Sequence, residues 1–344
     1  MPFLPQVLFF TFVGILSNLS WLRGLRPPLE VAVGAVGAAV RPAHDSELQS
    51  AVRLILATAS GHPDEMQVRE FLRLAGAHRD DAGGIWVAEQ GGKLLSAVMP
   101  VVSPGKTMLL FVPAHLHGEQ QTMLTRKLID ALCARAAEQG VHLAQALLDV
   151  HDEPLRGMLT ACGFGKLAEL LYLQAVVGKV AEPQLPAGCK WLTYTPERHE
   201  LFANTILATY QDSFDCPGLN GLRTIDDILA GHRATGDFVP EHWFILCEGD
   251  KAVGAVLLSK VLRSDVTELV YLGLIPQRRG HGLADILMRR AAAVAVASKH
   301  GRLSLAVDAG NLPALKLYWR HGMQVIGRKQ ALLRDLRNLR KGSA

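Results

Sequence analysis

The feature that most constrains this chain is an internal repeat. When the sequence is laid over itself at a shift of about 160 residues, Asp308 falls on Asp149. Upstream, Pro276 meets Pro113, with a loop that differs by one residue. A period of this length is that of a whole domain and not of a solenoid unit. The repeat therefore predicts a tandem duplication of one fold.

Breaks in hydrophobic periodicity predict where the two copies begin and end. The segment "VGKVAEPQLPAGCKW" contains Pro183, Pro186 and Gly188, which interrupt the periodicity between the copies. A basic carboxy-terminal segment follows the second copy, and a solvated tail explains it better than a nucleic-acid arm. The predicted division is an apolar, flexible extension at 1–39, a first domain at 40–180, a linker at 181–187, a catalytic domain at 188–336 and a tail at 337–344.

The second copy alternates between helical and strand periodicity. Its predicted strands are 190–194, 242–249, 251–261, 267–275, 303–307, 324–328 and 330–336. Its predicted helices are 196–210, 224–235, 282–300 and 312–321. A hairpin turn is expected at Gly249-Asp250. This order predicts an α/β fold of the α+β type, with a mixed sheet and helices on both faces.

Composition excludes several broad classes of protein. The 36 Lys+Arg against 32 Asp+Glu leave a formal charge of only +4, which gives no chain-wide field for nucleic acid or anionic lipid. The five cysteines form no CxxC pair and no metal-ligand spacing, which favours a reduced, cytoplasmic compartment and no metal site. Any anion site should therefore be local.

The apolar run "VLFFTFVGIL" is the exception to this soluble pattern. It is shorter than the roughly 20 residues that a membrane-spanning helix needs. No Lys or Arg precedes it, whereas a secretory signal would require a positive charge before the apolar run. A flexible extension and a membrane anchor both remain open, with the extension favoured.

The segment "IPQRRGHGLADILMRRA", residues 275–291, predicts an anion-binding turn. It joins a strand to a helix whose first N–H groups have no partner within the helix and lie at the positive end of its dipole. Gly280 and Gly282 would let the backbone approach a phosphate, and Arg278 and Arg279 add positive charge. A plain turn with solvated arginines explains "RRGHG" alone equally well.

Two other phosphate motifs are excluded by the residues that follow. A dinucleotide fingerprint requires glycine where Asp285 stands. A P-loop requires Gly-Lys-Ser/Thr where Gly282-Leu283-Ala284 stands. The ligand should therefore be neither a dinucleotide nor a nucleoside triphosphate.

The sequence "PQRRGHGLADILM" resembles the Q/R-x-x-G-x-G/A signature of the GNAT acyltransferase superfamily, and "NLPALKLYWRHGM" resembles the second motif of that family. The tandem arrangement resembles the mycothiol synthase family, although that likeness is looser. The resemblance implies acetyl-CoA as co-substrate and a primary amine as acceptor. By resemblance, the cofactor-binding residues are Leu272, Gly273, Leu274, Gln277, Arg278, Arg279, Gly280, His281, Gly282, Leu283 and Asn311.

The resemblance also implies two catalytic residues. Glu268 stands where the family often has a base, and Tyr318 where it commonly has an acid. The acceptor amine needs deprotonation before it attacks, and the leaving thiolate needs a proton. A backbone N–H of the 272–274 strand could stabilise the oxyanion, and Gly273 is expected to mark a bulge there. Asn311 could contact the cofactor or only cap the following helix.

The first copy departs from the motif at the glycine-rich turn and at the tyrosine position. It has "HGEQ" at residues 117–120 in place of "RGHG" at residues 279–282, and Leu159 in place of Tyr318. A carboxylate beside a pyrophosphate is repulsive, so the first domain is interpreted as a non-catalytic copy. In the second copy, the long loop at 208–227 is the expected acceptor region, where Tyr210, Asp212 and Asp215 could recognise a cationic amine or simply form turns.

The sequence thus predicts a cytoplasmic N-acetyltransferase that transfers an acetyl group directly, without a covalent enzyme intermediate. The alternative function is a non-catalytic acetyl-CoA-binding or regulatory module; a membrane-anchored enzyme and a nucleic-acid binder rank lower. The expected partner is a small-molecule or peptide amine, with no nucleic acid and no metal, and a membrane partner is disfavoured. The oligomeric state and the identity of the acceptor stay open.

Overall fold

A computed structural model of the chain describes residues 38–57, 63–77, 84–178, 180, 182–261 and 264–339. The extension expected at 1–39 lies outside the described residues, except for Ala38 and Ala39, which begin the first strand. The last residues of the expected basic tail, 340–344, also lie outside them. Among the described residues, no helix combines the length and hydropathy that crossing a bilayer would require.

The first repeat contains ten helices and strands among its described residues. In chain order they are β1 (Ala38–Pro42), α1 (Leu48–Leu56), α2 (Glu65–Ala77), β2 (Trp86–Gln90), β3 (Lys93–Ser103), β4 (Thr107–Phe111), α3 (Gly118–Glu138), β5 (Leu143–Leu148), α4 (Glu153–Ala161) and β6 (Gly165–Val176).

The second repeat contains the same order of elements in its described part. They are β7 (Cys189–Thr193), α5 (His199–Thr209), α6 (Ile225–Arg233), β8 (Asp237–Glu248), β9 (Lys251–Lys260), β10 (Val266–Leu274), α7 (Leu283–Ala297), β11 (Arg302–Asp308), α8 (Leu312–Arg320) and β12 (Gln324–Asp335). This identical order confirms the α/β fold with a mixed sheet that the repeat and its periodicities predict.

The described chain forms two compact units that do not follow the contiguous boundaries expected from the sequence. The carboxy-terminal unit contains residues 168–328, and the amino-terminal unit contains residues 38–167 together with 329–339. The closing strand of each repeat therefore contributes most of its length to the unit built by the other repeat. Periodicity cannot reveal this, because it identifies a strand but not the strand with which it pairs.

The last strand also differs from the prediction. The two closing strands expected at 324–328 and 330–336 are one continuous strand, β12. Its residues Gln330–Asp335 pair antiparallel with β5 in the amino-terminal unit. The predicted break was wrong because Arg328 and Lys329 interrupt the hydrophobic alternation but not the extended backbone.

Each unit has a sheet with one parallel pair of strands. In the carboxy-terminal unit, β7, β8, β9 and β10 are successive antiparallel neighbours, and β11 lies parallel to β10. Residues 170–176 of β6 pair antiparallel with β11. In the amino-terminal unit, the parallel pair is β4 with β5.

The carboxy-terminal sheet has an apolar core on each face. One face packs against α7 and α8 through residues such as Leu287, Ala291 and Leu315. The other face packs against α5 and α6 through Phe202, Ile206 and Leu229. Burial on both faces holds β10 and β11 in place, and the cleft described next opens between these two strands.

Candidate active site

The parallel strands β10 and β11 separate along their length and form a cleft. They pair at only three positions, from Val266 opposite Arg302 to Glu268 opposite Ser304. Beyond Glu268, β10 continues to Leu274 while paired only with β9 on its other side. One edge of this part of β10 therefore has backbone N–H and C=O groups that no strand uses. An extended ligand could hydrogen-bond to that edge.

A bulge in β10 accompanies the separation, but not where the sequence predicts it. The register between β10 and β9 shifts between Leu269 and Tyr271, whereas Gly273 pairs regularly with Ala255. The expected bulge at Gly273 is therefore wrong. A Cβ at Gly273 would lie 2.5 Å from the Tyr271 hydroxyl and 2.8 Å from Thr209 Oγ1, so glycine is required by the close approach of these side chains.

The turn between β10 and α7 has the geometry of an anion cradle. Gly280 and Gly282 adopt φ values of 79° and 77°, a left-handed conformation that favours glycine. A Cβ at either position would meet no atom within 4 Å. Among the described residues, no carbonyl accepts a hydrogen bond from the N–H of Gly280, His281 or Gly282. These N–H groups lie at the amino-terminal, electropositive end of α7.

The other predicted residues of this turn take varied positions. Gln277 and His281 are exposed, and His281 Nδ1 donates to the carbonyl of Arg279 at 2.8 Å. Leu283 is buried in the core as the first residue of α7. The side chain of Arg278 forms an ion pair with Glu248.

The guanidinium of Arg279 points away from the cradle. Its Nε donates to the carbonyl of Leu274 at 3.1 Å. Its terminal nitrogens donate to the carbonyls of Thr209 at 3.0 Å, Gln211 at 2.6 Å and Asp212 at 2.9 Å. The backbone of Arg279 belongs to the turn, but its charge is directed to the carboxy-terminal end of α5.

Asp285 in the first turn of α7 is neutralised by two basic side chains. His321 Nε2 donates to its Oδ1 at 3.0 Å, and Arg320 pairs with its Oδ2 at 3.1 Å. Burial opposes ionisation, but these hydrogen bonds prevail and hold the pKa of Asp285 below its usual value. Its negative charge is therefore compensated within the same wall of the cleft.

The cleft encloses a cavity of about 420 Å³ in the carboxy-terminal unit. Predicted residues that line it are Leu272, Gly273, Leu274, Arg279, Gly280, Gly282, Asn311 and Tyr318. The segment after α5 contributes Asp212, Ser213, Phe214 and Asp215. The cavity thus brings together the turn, the free edge of β10, helix α8 and the loop expected to contact the acceptor.

Glu268 lies where the pairing of β10 and β11 ends. Its side chain is buried, its Oε2 has no hydrogen-bond partner within the described ranges, and burial raises its pKa to about 8. The register places Ser259 of β9 and Ser304 of β11 directly beside it, and neither hydroxyl has a partner among the described residues. Sequence reasoning missed these serines, although a polar residue inside an apolar strand is a signal that could have found them.

Tyr318 projects from α8 into the cleft wall. It is buried, and burial together with the charge of Asp215 raises its pKa well above the usual range. Its hydroxyl makes no hydrogen bond within the described part of the chain. A phenol held protonated in this way is a possible proton donor.

Asn311 caps α8. Its Oδ1 accepts a hydrogen bond from the N–H of Ala314 at 3.3 Å, and the residue also lines the cavity. The cap accounts for an asparagine at this position. Contact with a cofactor stays a prediction.

The three residues expected to recognise a cationic amine are only partly available. Asp215 Oδ1 accepts a hydrogen bond from the N–H of Asp308 at 3.2 Å. Tyr210 packs edge-on against Tyr271, with ring centroids 5.4 Å apart. Asp212 lines the cavity, while its carbonyl accepts from Arg279. In the described residues, no group of three or more His, Cys, Asp or Glu side chains is arranged to hold a metal ion.

Comparison with known proteins agrees with this geometry. Residues 209–323 match the model of the Acetyltransferase (GNAT) family. The chain is 28% identical over 311 residues to a mycothiol acetyltransferase of Clavibacter sepedonicus, a match that covers 82% of this chain and 91% of that protein. It is 30% identical over 146 residues to a mycothiol acetyltransferase of Jonesia denitrificans, covering 42% of this chain and 45% of that protein.

Solved structures share the fold. A GCN5-related N-acetyltransferase from Sphaerobacter thermophilus matches with a TM-score of 0.62 at 17% identity, covering 87% of this chain and 96% of that chain. A tandem GNAT protein from the clavulanic acid biosynthesis pathway matches with a TM-score of 0.51 at 13% identity, covering 87% of this chain and 98% of that chain. Residues 209–323, which match the Acetyltransferase (GNAT) family, lie within the carboxy-terminal unit, and the solved structures share the fold of the chain.

Proposed function

We propose that the carboxy-terminal unit transfers an acetyl group from acetyl-CoA directly to a primary amine. The observation that carries this proposal is the cleft between β10 and β11, which has a free strand edge along one wall and the electropositive end of α7 at its mouth. The N–H groups of Gly280 to Gly282 suit a pyrophosphate. The free edge at 272–274 suits the amides of a pantetheine arm.

The open cradle supports a diphosphate ligand over a plain turn. Both glycines are held in a conformation that other residues rarely adopt, yet neither is crowded by protein atoms. Steric crowding therefore does not explain the glycines. Their left-handed conformation does explain them, and the open space beside them leaves the backbone N–H groups accessible to an anion.

Glu268 is assigned as the base that receives the proton of the acceptor amine. With a pKa of about 8 it is mostly neutral at pH 7, so its carboxylate form becomes available as the pH rises through that value. An ammonium acceptor bound nearby would favour the carboxylate and could then transfer its proton to it, directly or through water. The amine nitrogen next bonds to the thioester carbon, and a backbone N–H on the free edge of β10 stabilises the oxyanion.

Tyr318 is assigned as the acid. When the tetrahedral intermediate collapses, the carbon–sulfur bond breaks and the thiolate takes the phenolic proton. The raised pKa of Tyr318 keeps that proton in place at neutral pH. No cysteine takes part, and no covalent enzyme intermediate forms.

The relatives suggest which acceptor class to test first. Those described above are named mycothiol acetyltransferases, so a small-molecule amine related to mycothiol heads the panel. The amino-terminal unit is proposed to be non-catalytic, because its equivalent turn has Glu119 and its helix α4 has Leu159 at the tyrosine position.

The experiment is an acceptor screen with acetyl-CoA labelled in the acetyl group. Mycothiol-related amines, amino sugars, amino acids and peptides are compared, and acceptor-dependent release of free CoA thiol is measured in parallel. Transfer to an amine that is lost in Glu268→Gln supports the assignment. Tight acetyl-CoA binding without transfer to any amine would instead favour the regulatory module.

A further inference from the structure

The segment that follows α5 crosses the mouth of the cleft, and we call residues 210–216 the strap. Four of its residues, Asp212 to Asp215, line the cavity. Phe214 among them is 62% exposed. The strap has no regular secondary structure across Ser213 to Cys216, so its position depends on contacts with neighbouring elements.

One end of the strap is held by Arg279. Four of the five N–H donors of this guanidinium are used, one on the carbonyl of Leu274 and three on the carbonyls of Thr209, Gln211 and Asp212. The last carbonyls of a helix have no partner within it, and a cation at that end is also favoured by the helix dipole. Arg279, from the turn that begins α7, thus caps the end of α5.

The other end of the strap is held by β11. Asp308 donates its N–H to Asp215 Oδ1 at 3.2 Å, and Asp308 Oδ2 accepts from the N–H of Cys216 at 3.2 Å. Cys216 adopts a φ of 45°, a left-handed conformation that is uncommon for a non-glycine residue. The strap is therefore attached to the β10 side of the cleft by Arg279 and to the β11 side by Asp308.

These attachments distinguish the role of the turn's backbone N–H groups, which can bind an anion, from the role of the Arg279 side chain, which binds protein carbonyls. Arg279 lies within the glycine-rich turn, beside the unpartnered N–H groups, yet its guanidinium is committed to protein carbonyls. With one N–H left, it cannot grip a phosphate through the paired donors that such contacts use. The backbone of Arg279 belongs to the turn that begins with Pro276 and leads into α7. Its side-chain hydrogen bonds therefore tie the strap to that turn.

We propose that Arg279 is a positioning residue that couples the donor-binding turn to the strap, so that the acceptor wall of the cleft takes its shape from the turn. This inference rests on the proposed function for its kinetic consequence but not for its structural one. If Arg279 instead contacted a phosphate, its loss would weaken acetyl-CoA binding and leave the KM for the acceptor unchanged. Measuring both values therefore distinguishes the two roles of Arg279.

The kinetic test compares Arg279→Ala and Arg279→Lys with wild type. Both variants should raise the KM for the acceptor by roughly tenfold or more, since neither can satisfy the carbonyls as the guanidinium fork does. The dissociation constant of acetyl-CoA should change by less than about threefold, because its N–H ligands remain. Arg289→Ala, which removes an exposed positive charge from α7, is the charge-matched control and should change neither value.

A loss of acetyl-CoA affinity in Arg279→Ala that Arg279→Lys restores, with the acceptor KM unchanged, would overturn the proposal in favour of a phosphate contact. Hydrogen exchange provides a readout that needs no activity. In ligand-free protein, the amides of 210–216 should exchange faster in both Arg279 variants than in wild type and in Arg289→Ala. Equal exchange in all four proteins would overturn the proposal, whereas a lack of acetyl transfer by wild type would leave this result intact and count only against the proposed function.

Discussion

The two repeats contain the same strand-to-helix turn in two different states. In the carboxy-terminal unit, β10 extends six residues beyond its last pairing with β11, and the N–H groups of Gly280 to Gly282 have no carbonyl partner in the part of the chain that the structure describes. In the amino-terminal unit, β4 pairs with β5 up to Leu110, and only Phe111 extends beyond it. One repeat opens a cleft at this place, and the other keeps its parallel strands together.

The first turn of the helix shows the same contrast. Gly118 keeps the left-handed conformation, with a φ of 81°. The Gln121 side chain bends back and accepts a hydrogen bond from the N–H of His117 at 2.5 Å, and Glu119 adds a negative charge to the first turn of α3. The duplicated turn thus keeps a left-handed glycine, while a side-chain acceptor and a carboxylate are added around it. The two repeats therefore differ both in the pairing of their parallel strands and in a few side chains of the turn, although the order of their elements is the same.

The largest effect is expected when the carboxy-terminal turn receives a negative charge like that of Glu119 in the amino-terminal turn. Gly282→Glu places a carboxylate at the cradle, and it should weaken acetyl-CoA binding by at least about 100-fold through repulsion of the pyrophosphate. Isothermal titration measures the change.

Two variants control for side effects of that change. Gly282→Ala imposes the same backbone strain without charge and meets no atom within 4 Å, so it should lose much less affinity. Gln120→Glu adds the same charge in the amino-terminal unit and should bind as wild type does. Equal affinity losses in Gly282→Ala and Gly282→Glu would show that strain, and not charge, governs the turn.

The next effect concerns Tyr318, which the amino-terminal copy replaces with leucine. Tyr318→Phe keeps the packing and removes the phenolic proton, so kcat should fall by about 100-fold. The dissociation constant of acetyl-CoA should stay within about threefold of wild type. An unchanged kcat would remove the proton-donor role without affecting the assignment of the turn.

Glu268 should make the stability of the carboxy-terminal unit depend on pH. The counterpart of β10 in the amino-terminal unit, β4, contains no carboxylate and should not have this effect. In the folded protein the pKa of Glu268 is about 8, above the ordinary glutamate value of 4.5, so the folded state keeps a proton that the unfolded state releases between these pH values. The free energy of unfolding should therefore fall as pH rises through that window, by up to about 1.4 kcal/mol per pH unit. Denaturant titrations of wild type and Glu268→Gln from pH 5 to 8 measure it.

Glu268→Gln should lack this decline in stability. It should also lose the rise of kcat/KM toward pH 8 that a base of this pKa gives to wild type. Parallel stability curves for the two proteins would place Glu268 in contact with solvent, contrary to its burial.

The smallest expected effect concerns the residues that cap α8 and its counterpart α4. Asn311 caps α8 and Asp152 caps α4 in the same way, through side-chain oxygens that accept from Ala314 and Leu155. Asn311→Ala and Asp152→Ala should each cost about 1 kcal/mol of stability. If Asn311 also contacts the cofactor, only its variant should weaken acetyl-CoA binding. Equal acetyl-CoA affinities in the two variants would leave Asn311 as a cap alone.

How much of this could be predicted from the sequence depends on the range of the interactions involved. The order of elements, the hairpin at Gly249-Asp250 and the turn before α7 follow from local periodicity and from glycine, and the structure agrees with them. The bulge in β10 and the continuity of β12 do not, because strand pairing decides them. Most partners of Arg279 were also beyond reach, since three of the four carbonyls that it binds lie about 70 residues earlier in the chain.

The unpartnered hydroxyls of Ser259 and Ser304 illustrate the same limit. Each is a small polar residue in an apolar strand, and the sequence does not say that both flank Glu268. Register alone places them in one row. Sequence reasoning therefore found the carboxylate and the phenol through resemblance to a motif, but not the surroundings that set the pKa of Glu268.

The most direct test of the central claim compares the two turns in one experiment. Hydrogen exchange of the full chain, measured with and without saturating CoA, reports on amides 280–286 and 117–123 together. The account predicts strong protection by CoA of the carboxy-terminal turn and no change at the amino-terminal one. Protection of residues 117–123, or of neither turn, would contradict it.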